Sequence, residues 1–346
     1  MNTKNQHIIP VVYLKYFSPN PNEKRGKRKI LSVNLNKPIY KIEQKRLEKV
    51  AAKKHFYSIK KNKQQKRQQQ YDYFVEENLS LYENDWGKVV DKIVYLINGM
   101  TLFGEVQTFQ NLELYTELKK SISIFFWRAE ARRIEIERFF EHKTESIDKN
   151  GLEELVSIHH LREMGLMAGR TFLSLCRKKV SIFFSKTPIF VTSDNPVIVM
   201  NNNPDSRSDI LNPKSIIYCA VTPEIAVIIS PNNKYKPYSI DNLEKIINVS
   251  NAGNIENVIS NVSKPCDTIE LRLADCSQKS IQNRLVTIET NDWLFSNNHN
   301  SLKECLHIMP ERAKERPKIT NYASIFVRSR VNFFNECLKA TTQKGD

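Results

Sequence analysis

The order of helical and β-type patterns along the 346 residues limits the possible folds of this chain more than any other feature. Between about residues 71 and 178, apolar side chains recur at helical spacing. They predict one long helix over Leu112–Phe140 and another over Leu152–Cys176, preceded by one or two helices over 73–97. Beyond this region short β-branched and aromatic runs alternate with turn residues, as in strands. Helices followed by strands predict an α+β fold.

Several strands can be predicted individually in the second half of the chain. Val180–Phe184, Ile189–Val191 and Val197–Met200 are apolar runs bounded by turn residues. Ile216–Val221 and Ile225–Ile229 flank a Thr-Pro-Glu turn and predict a β-hairpin. Further helices are predicted over residues 240–262 and 324–338.

The N-terminal segment also contains predicted structure. Pro10 suits the first turn of a short helix, and Ile30–Leu35 alternates enough to predict a strand. Two basic loops, residues 24–29 and 60–67, flank this element. The polar run 68–70 predicts a solvent-exposed connection.

These patterns predict three regions of one compact domain. They are a basic N-terminal segment over 1–70, integrated with the body, a helical region over 71–178, and a strand-rich region with helices over 179–346. We expect the strands of the last region to form a mainly antiparallel sheet flanked by helices.

The positive charge of the chain is concentrated at its N-terminus. Residues 1–70 hold 19 Lys and Arg against three acidic residues, a net charge of +16, whereas the whole chain carries +15. Clustered positive charge is typical of proteins that bind a polyanion, because binding releases condensed counterions. We therefore predict a nucleic-acid partner, DNA in preference to RNA, and the alternative is a solubilising arm. The residues predicted to contact the nucleic-acid backbone are Lys24, Arg25, Lys27, Arg28, Lys29, Lys60, Lys61, Lys63, Lys66 and Arg67.

Other sequence features exclude several classes of protein. No run of 18 apolar residues and no signal-type segment occurs, so we expect a cytoplasmic protein without a membrane partner. The six cysteines are scattered without a C-x-x-C pair, which favours buried thiols over a zinc site or a disulfide scaffold. The common phosphate-binding, dinucleotide-binding, serine-hydrolase and zinc-protease motifs are missing. We accordingly expect neither a cofactor nor a metal, and the oligomeric state stays open.

One polar segment, Thr192-Ser-Asp-Asn-Pro196, has the composition of a site. It follows one predicted apolar strand and precedes another, so its polar groups must lie at the end of a sheet or be satisfied internally. Asp194 and Asn195 can simply shape a turn. Alternatively, Asp194 is a carboxylate held at a strand end, where it acts as a base or stabilises a developing cation.

Three blocks of the sequence resemble the bacterial domain of unknown function 4238 family. The first is His7-Ile-Ile-Pro with Tyr13-Leu14 and Phe17, followed by His55-Phe-Tyr57, and the most specific is Pro188–Pro196. The Asn-rich segment Asn248–Asn261 resembles a further block, and the likeness covers about residues 5–265. An Arg of the central helix also belongs to the pattern. Arg128, Arg132 and Arg133 are the three candidates here, and Arg128 is the one we assign.

The resemblance implies a composite site, although it does not imply a particular reaction. Its matched positions are His7, Arg128, Asp194, Asn195 and Asn251, to which the neighbouring Asn254 can be added. Charged and amide side chains from separate segments are typical of a site for a polar or anionic ligand. The family occurs as scattered bacterial accessory genes, which is compatible with defence against phage.

We predict an enzyme that hydrolyses an N-glycosidic bond in nucleic acid, of the DNA glycosylase type, in antiviral defence. Asp194 would activate water or stabilise the sugar cation, with His7 as an acid or phosphate contact and Asn195 as a base or water contact. Arg128, Asn251 and Asn254 would bind the substrate.

Three alternatives remain open. The first is a nuclease or RNA-cleaving toxin with His7 as acid–base and Arg128 on the phosphate. The second is a non-enzymatic nucleic-acid-binding protein, and the third is a small-molecule hydrolase.

Overall fold

The structure is a computed structural model, and its described parts include most of the chain. They are residues 5–54, 56–57, 68–99, 106–143, 148–200, 210–232 and 268–315. The predicted helices over 240–262 and 324–338 lie outside the described residues, as do Asn251, Asn254 and the basic loop 60–67.

The described helices account for most of the region from Gln68 to Leu175 and for two further segments near residue 300. They are α1 (Val11–Leu14), α2 (Gln68–Asn98), α3 (Leu112–Arg128), α4 (Glu130–Lys143), α5 (Lys149–Leu175), α6 (Cys276–Glu289) and α7 (His299–Glu315). Side-chain caps explain two of the starting points. The Asn111 side chain accepts the N–H of Leu114 at 2.9 Å, and that of Asp148 accepts the N–H of Gly151 at 2.8 Å. None of the helices in the described ranges is long and apolar enough to cross a membrane.

Two predictions for the helical region were wrong. The single helix expected over 112–140 is interrupted at Ala129, whose backbone is extended (φ −59°, ψ 144°). Neither Pro nor Gly marks this break, and the residues on its two sides, Arg128 and Glu130, make different long-range contacts. The run 68–70, expected to be a connection, is instead the first turn of α2.

Twelve described strands form three sheets. They are β1 (Asn5–His7), β2 (Lys29–Asn34), β3 (Ile42–Arg46), β4 (Ala52–Lys54), β5 (Gln107–Gln110), β6 (Lys179–Phe184), β7 (Thr192–Ser193), β8 (Val197–Met200), β9 (Ile216–Thr222), β10 (Ile225–Ser230), β11 (Thr268–Leu273) and β12 (Trp293–Ser296). The orders are β1-β4, β5-β11-β6-β10-β9-β8 and β3-β2-β12-β7. Only β6 and β11 pair in parallel among the described strands, so the α+β class with mainly antiparallel sheets is confirmed.

The six-stranded sheet contains the predicted hairpin, β9–β10, and supplies much of the core. Its central strands are buried on both faces, as shown by β9, where Ile217, Tyr218 and Cys219 are all fully buried. The strand predicted over Ile189–Val191 is wrong. That segment is instead held by loop contacts, since the N–H groups of Ile189 and Phe190 both donate to the carbonyl of Pro223.

The four-stranded sheet joins distant parts of the chain. In it β12 pairs with β2, with Trp293 opposite Asn34, and on its other side with β7, with Leu294 opposite Ser193. Strand β7 lies within the Thr192–Pro196 segment. This sheet therefore places that segment beside the N-terminal region and the start of β12.

Candidate functional site

The aromatic residues of the first sequence block are part of the core. Tyr13, Leu14 and Phe17 are fully buried, and the Tyr13 hydroxyl donates to the carbonyl of Ala220 at 2.6 Å. The same hydroxyl lies 2.6 Å from Thr192 Oγ1. Tyr13 therefore links the short helix α1 directly to the Thr192–Pro196 segment, and its role is to hold the two blocks together.

The polar segment Thr192–Pro196 is buried, and most of its polar groups are satisfied internally. The side chain of Asp194 is only 1% exposed, and its carboxylate accepts three consecutive backbone N–H groups. They belong to Asn291 (3.0 Å), Asp292 (2.6 Å) and Trp293 (3.1 Å). Asp194 also donates its own N–H to the carbonyl of Trp293 at 3.1 Å. Asp194 thus fixes the turn between helix α6 and strand β12.

Opposing effects act on the Asp194 carboxyl group. Burial raises its pKa to about 7, against the hydrogen bonds from Asp292 and Asn291, while the nearby carboxylates of Asp292 and Glu130 raise it further. Because backbone N–H groups occupy both oxygens, the geometry suits a carboxylate that positions its neighbours. Both Asp194 oxygens are thus engaged by the backbone, and neither is directed at a substrate.

A charged cluster of Lys53, Glu130 and Asp292 lies next to Asp194. The Lys53 ammonium donates to Glu130 Oε1 and lies 3.8 Å from Asp292 Oδ2. The Lys53 side chain is 45% exposed, that of Asp292 23% and that of Glu130 10%. The three charges come from strand β4, the start of helix α4 and the turn that Asp194 holds. We call them the Lys53 cluster.

Glu130 is the most buried carboxyl group of this cluster. Burial raises the pKa of Glu130, against the hydrogen bond and charge of Lys53. Its Oε2 atom is buried and has no hydrogen-bond partner among the described residues. A buried carboxyl oxygen without a partner is costly unless a ligand or water completes it. Glu130 therefore offers one oxygen to an additional group.

His7 belongs to the same N-terminal ladder but faces away from the Lys53 cluster. In the β1–β4 ladder Gln6 pairs with Lys53 and His7 with Ala52, so the side chains of His7 and Lys53 lie on opposite faces. Burial lowers the pKa of His7, against a hydrogen bond with the backbone of Glu48. Its buried Nε2 atom, like Glu130 Oε2, has no partner in the described part of the chain. No hydrogen bond joins the described side chains of His7 and Asp194.

Arg128, at the end of helix α3, is fully engaged inside the protein. Its Nη2 donates to the His7 carbonyl at 2.9 Å and its Nε to the Tyr57 hydroxyl at 2.8 Å. Its Nη1 contacts Glu83 Oε1 at 2.6 Å, and the residue is only 4% exposed. The guanidinium thus anchors strand β1 to helices α2 and α3.

Asn195 is also buried, next to the end of helix α6. Its Nδ2 donates to the carbonyl of Glu289 at 3.3 Å, while its Oδ1 is buried without a partner in the described ranges. The hydroxyl of Ser193 accepts the Asn195 N–H and donates to the Asn195 carbonyl, both at 3.0 Å. The structure therefore brings Asp194 and Asn195 to the same turn as Asp292.

The first basic loop, residues 24–29, is exposed and is hydrogen-bonded to the N-terminal region that contains His7 and Glu48. Lys24, Arg25, Lys27 and Lys29 are exposed, and Arg28 Nε donates to the carbonyl of Glu23 at 2.6 Å. Gly26 allows the turn because its φ is +87°, a value that favours glycine.

A single carboxylate anchors this loop. The N–H of Gly26 donates to Glu48 Oε1 at 2.6 Å, and the backbone of Glu48 in turn contacts His7. The loop is thereby held in place.

Sequence reasoning did not find Lys53, Glu130 or Asp292. Each is an abundant surface residue type, and their positions in the sequence show no motif spacing. The only signals were indirect: Glu130 lies between Arg128 and Arg132, and Asp292 precedes one of the three tryptophans. Within the described residues, no group of three or more His, Cys, Asp and Glu side chains could hold a metal ion.

The comparisons with known proteins identify a family and nothing closer. No curated protein and no solved structure matches the chain. The family described as "Protein of unknown function (DUF4238)" matches residues 5–303, well over half of the chain. The match includes every residue of the Lys53 cluster and the segment that holds Asp194. The chain is therefore a member of the DUF4238 family.

Proposed function

We propose that this protein is a cytoplasmic hydrolase that cleaves N-glycosidic bonds in nucleic acid, DNA in preference to RNA, in defence against phage. One observation carries the proposal: two carboxyl groups, Glu130 and Asp292, meet at the ammonium of Lys53 beside the buried Asp194. One of them has a raised pKa and an unpartnered oxygen, and the other is partly exposed. The site assignment thus moves from Asp194 and His7 to the Lys53 cluster.

Glycosidic hydrolysis needs the two roles that these carboxyl groups can supply. Many glycosidases pair a protonated acid with an ionised carboxylate. Glu130 gives its proton to the leaving base as the bond between the sugar carbon and the base nitrogen breaks, and the bond electrons go to the base. Asp292 takes a proton from the water whose oxygen adds to the sugar carbon. Lys53 holds both carboxyl groups and lies near enough to the surface to meet a phosphate.

The exposed basic loop 24–29 supports nucleic acid as the substrate. Its basic side chains belong to the same N-terminal region as Lys53, and the Glu48 carboxylate holds the loop in place through a hydrogen bond from Gly26. Phosphate contacts of this kind supply affinity and register without sequence preference. The second basic loop, 60–67, is proposed to add to this surface on the grounds of its sequence.

The proposal is tested by base release. The protein is incubated with native and phage-modified DNA and with RNA, and abasic sites are detected as strand breaks that appear only after alkali. Glu130→Gln and Asp292→Asn are expected to lower the rate by at least about 100-fold, because general acid–base catalysis contributes on that order. The rate should also fall as the pH rises above the raised pKa of Glu130. Glu137→Gln, an exposed change on the same helix, is the matched control.

Two results would contradict the proposal. Strand breaks without alkali point to phosphodiester cleavage, and hence to a nuclease or RNA-cleaving toxin. Binding that weakens steeply with salt, with no product on any substrate, points to a non-enzymatic nucleic-acid-binding protein.

A further inference from the structure

Trp293 lies beside the Lys53 cluster and is only partly buried. The other two tryptophans of the chain, Trp86 and Trp127, are 0% and 4% exposed, so Trp293 is the tryptophan that reaches the surface. It begins strand β12 and immediately follows Asp292.

Both backbone polar groups of Trp293 are hydrogen-bonded to one residue, Asp194. Its N–H donates to Asp194 Oδ2 at 3.1 Å, and its carbonyl accepts the N–H of Asp194, also at 3.1 Å. On the other side β12 pairs with β2, with Trp293 opposite Asn34. The backbone that carries the ring is therefore fixed before any ligand arrives, which lowers the ordering cost of binding.

The surroundings of the indole combine an aromatic neighbour with positive charge. Lys45 Nζ lies 4.8 Å from the centre of the ring, a cation–π contact. Phe295 is nearly parallel to the indole, at an interplanar angle of 4° and a centroid distance of 6.2 Å. Lys37 and Lys45 share the single carboxylate of Glu43, at 3.0 and 2.8 Å, so positive charge exceeds negative charge at this edge.

We propose that Trp293 and Lys45 form a stacking subsite for an unpaired nucleobase, with the Lys45 ammonium meeting its phosphate. This inference rests on the proposed function in its choice of nucleic acid as the ligand. Stacking on an aromatic ring tolerates every base, because each base has a π-face. We place the sugar of a base held on Trp293 beside Asp292, the residue that precedes it in the chain. The substrate is accordingly single-stranded or has a base turned out of the duplex.

Intrinsic fluorescence tests the subsite directly, because the other two tryptophans are buried. Oligothymidylate of 12 nucleotides is titrated into the full chain, with oligouridylate and a fully abasic oligomer of equal length as comparisons. The thymidylate is expected to quench the emission and to bind about 5- to 100-fold more tightly than the abasic oligomer, the usual range for base–aromatic stacking. Equal affinities for the two DNA oligomers overturn the subsite, whereas tighter binding of thymidylate and of uridylate than of the abasic oligomer supports stacking on either base.

Three variants make this test specific. Trp293→Leu should lose the quenching and bind thymidylate about 5- to 100-fold less tightly, while the exposed change Tyr95→Leu on helix α2 alters neither. Trp293→Phe keeps a stacking ring and covers the case that the leucine variant misfolds, so its affinity should stay within about 3-fold of the wild type. Quenching that persists in Trp293→Leu contradicts the proposal.

The two proposals fail separately. Quenching and discrimination against the abasic oligomer without base release leave the subsite standing and reject the chemistry. Base release with equal affinities for the thymidylate and the abasic oligomer supports the chemistry and rejects the subsite.

Discussion

Arg128 donates a hydrogen bond from Nη2 to the backbone carbonyl of His7 at 2.9 Å. This contact joins the end of helix α3 to strand β1, and β1 pairs with the strand that carries Lys53. The interruption of the helix at Ala129 then directs Glu130 to Lys53. Two positions on either side of one break in a helix therefore serve different purposes: Arg128 supports the N-terminal ladder, and Glu130 belongs to the charged cluster.

Replacing Arg128 should destabilise the fold strongly. Arg128→Met leaves the His7 carbonyl, the Tyr57 hydroxyl and the Glu83 carboxylate without their common donor, at a cost of about 3 kcal/mol. Urea unfolding measures the change. The exposed Arg138→Met on helix α4 is the control and should remain within about 0.5 kcal/mol of the wild type. Equal stabilities of the two variants would mean that the guanidinium contacts contribute nothing.

Asp194→Asn should loosen the turn that leads into strand β12. The amide keeps one acceptor oxygen but turns an NH₂ group toward backbone donors, so we expect a loss of about 2 kcal/mol. The emission of Trp293 should shift to longer wavelength because the clamp on its backbone is weakened. Asp91→Asn, an exposed change on helix α2, serves as the comparison. An unchanged emission maximum with unchanged stability argues against a positioning role for Asp194.

Glu135, on helix α4, should make stability depend on pH. Burial raises its pKa from 4.5 to about 7, against the charge of Arg132, which lies 3.0 Å away. Between these values the folded chain retains a proton that the unfolded chain releases, so the free energy of unfolding falls as the pH rises. Asp194 acts in the same direction.

The matched neutral variant isolates the contribution of Glu135. Glu135→Gln should reduce the loss of stability between about pH 4.5 and pH 7 by on the order of 2 kcal/mol. Urea unfolding at several pH values measures this slope. The exposed Glu137→Gln should leave it as in the wild type, and an identical slope in the Glu135 variant would falsify the assignment.

Ala51 carries backbone strain next to strand β4. Its φ is +47°, which is unfavourable for a residue with a Cβ atom by about 1–2 kcal/mol. Ala51→Gly removes this strain but adds freedom to the unfolded chain worth about 0.4–1 kcal/mol, so stability should stay equal or rise by up to about 1 kcal/mol. Ala52→Gly in the adjoining strand should instead cost about 0.5–1 kcal/mol. If both substitutions destabilise equally in thermal unfolding, the strain at Ala51 is absent.

The elements predicted correctly are those whose signals are local. Helix α5 and the β9–β10 hairpin follow from periodicity and turn residues within short windows. The break at Ala129 has no such signal, because it depends on what Arg128 and Glu130 contact far away in the sequence. For the same reason the strand at Thr192–Ser193 was missed, since it exists through pairing with Leu294 and Phe295.

The candidate site was predictable only in part. The Thr192–Pro196 segment was recognised from its composition. Its polar groups, apart from Asn195 Oδ1, are satisfied internally, which is one of the two outcomes expected. What Asp194 satisfies, the three N–H groups of residues 291–293, could not be inferred because the turn is almost 100 residues away in the chain. Lys53 could not be singled out from the sequence because it is one of many lysines in a basic segment.

The four-stranded sheet also determines when folding can be completed during synthesis. Strand β2 is made early, but its partner β12 begins only at Trp293. At 5–20 residues per second, the ribosome needs roughly 15–50 s to add the intervening chain. Until residues 291–293 have been added, Asp194 lacks its turn and Lys53 lacks Asp292. The four-stranded sheet and the Lys53 cluster therefore form only after residues 291–296 have left the ribosome.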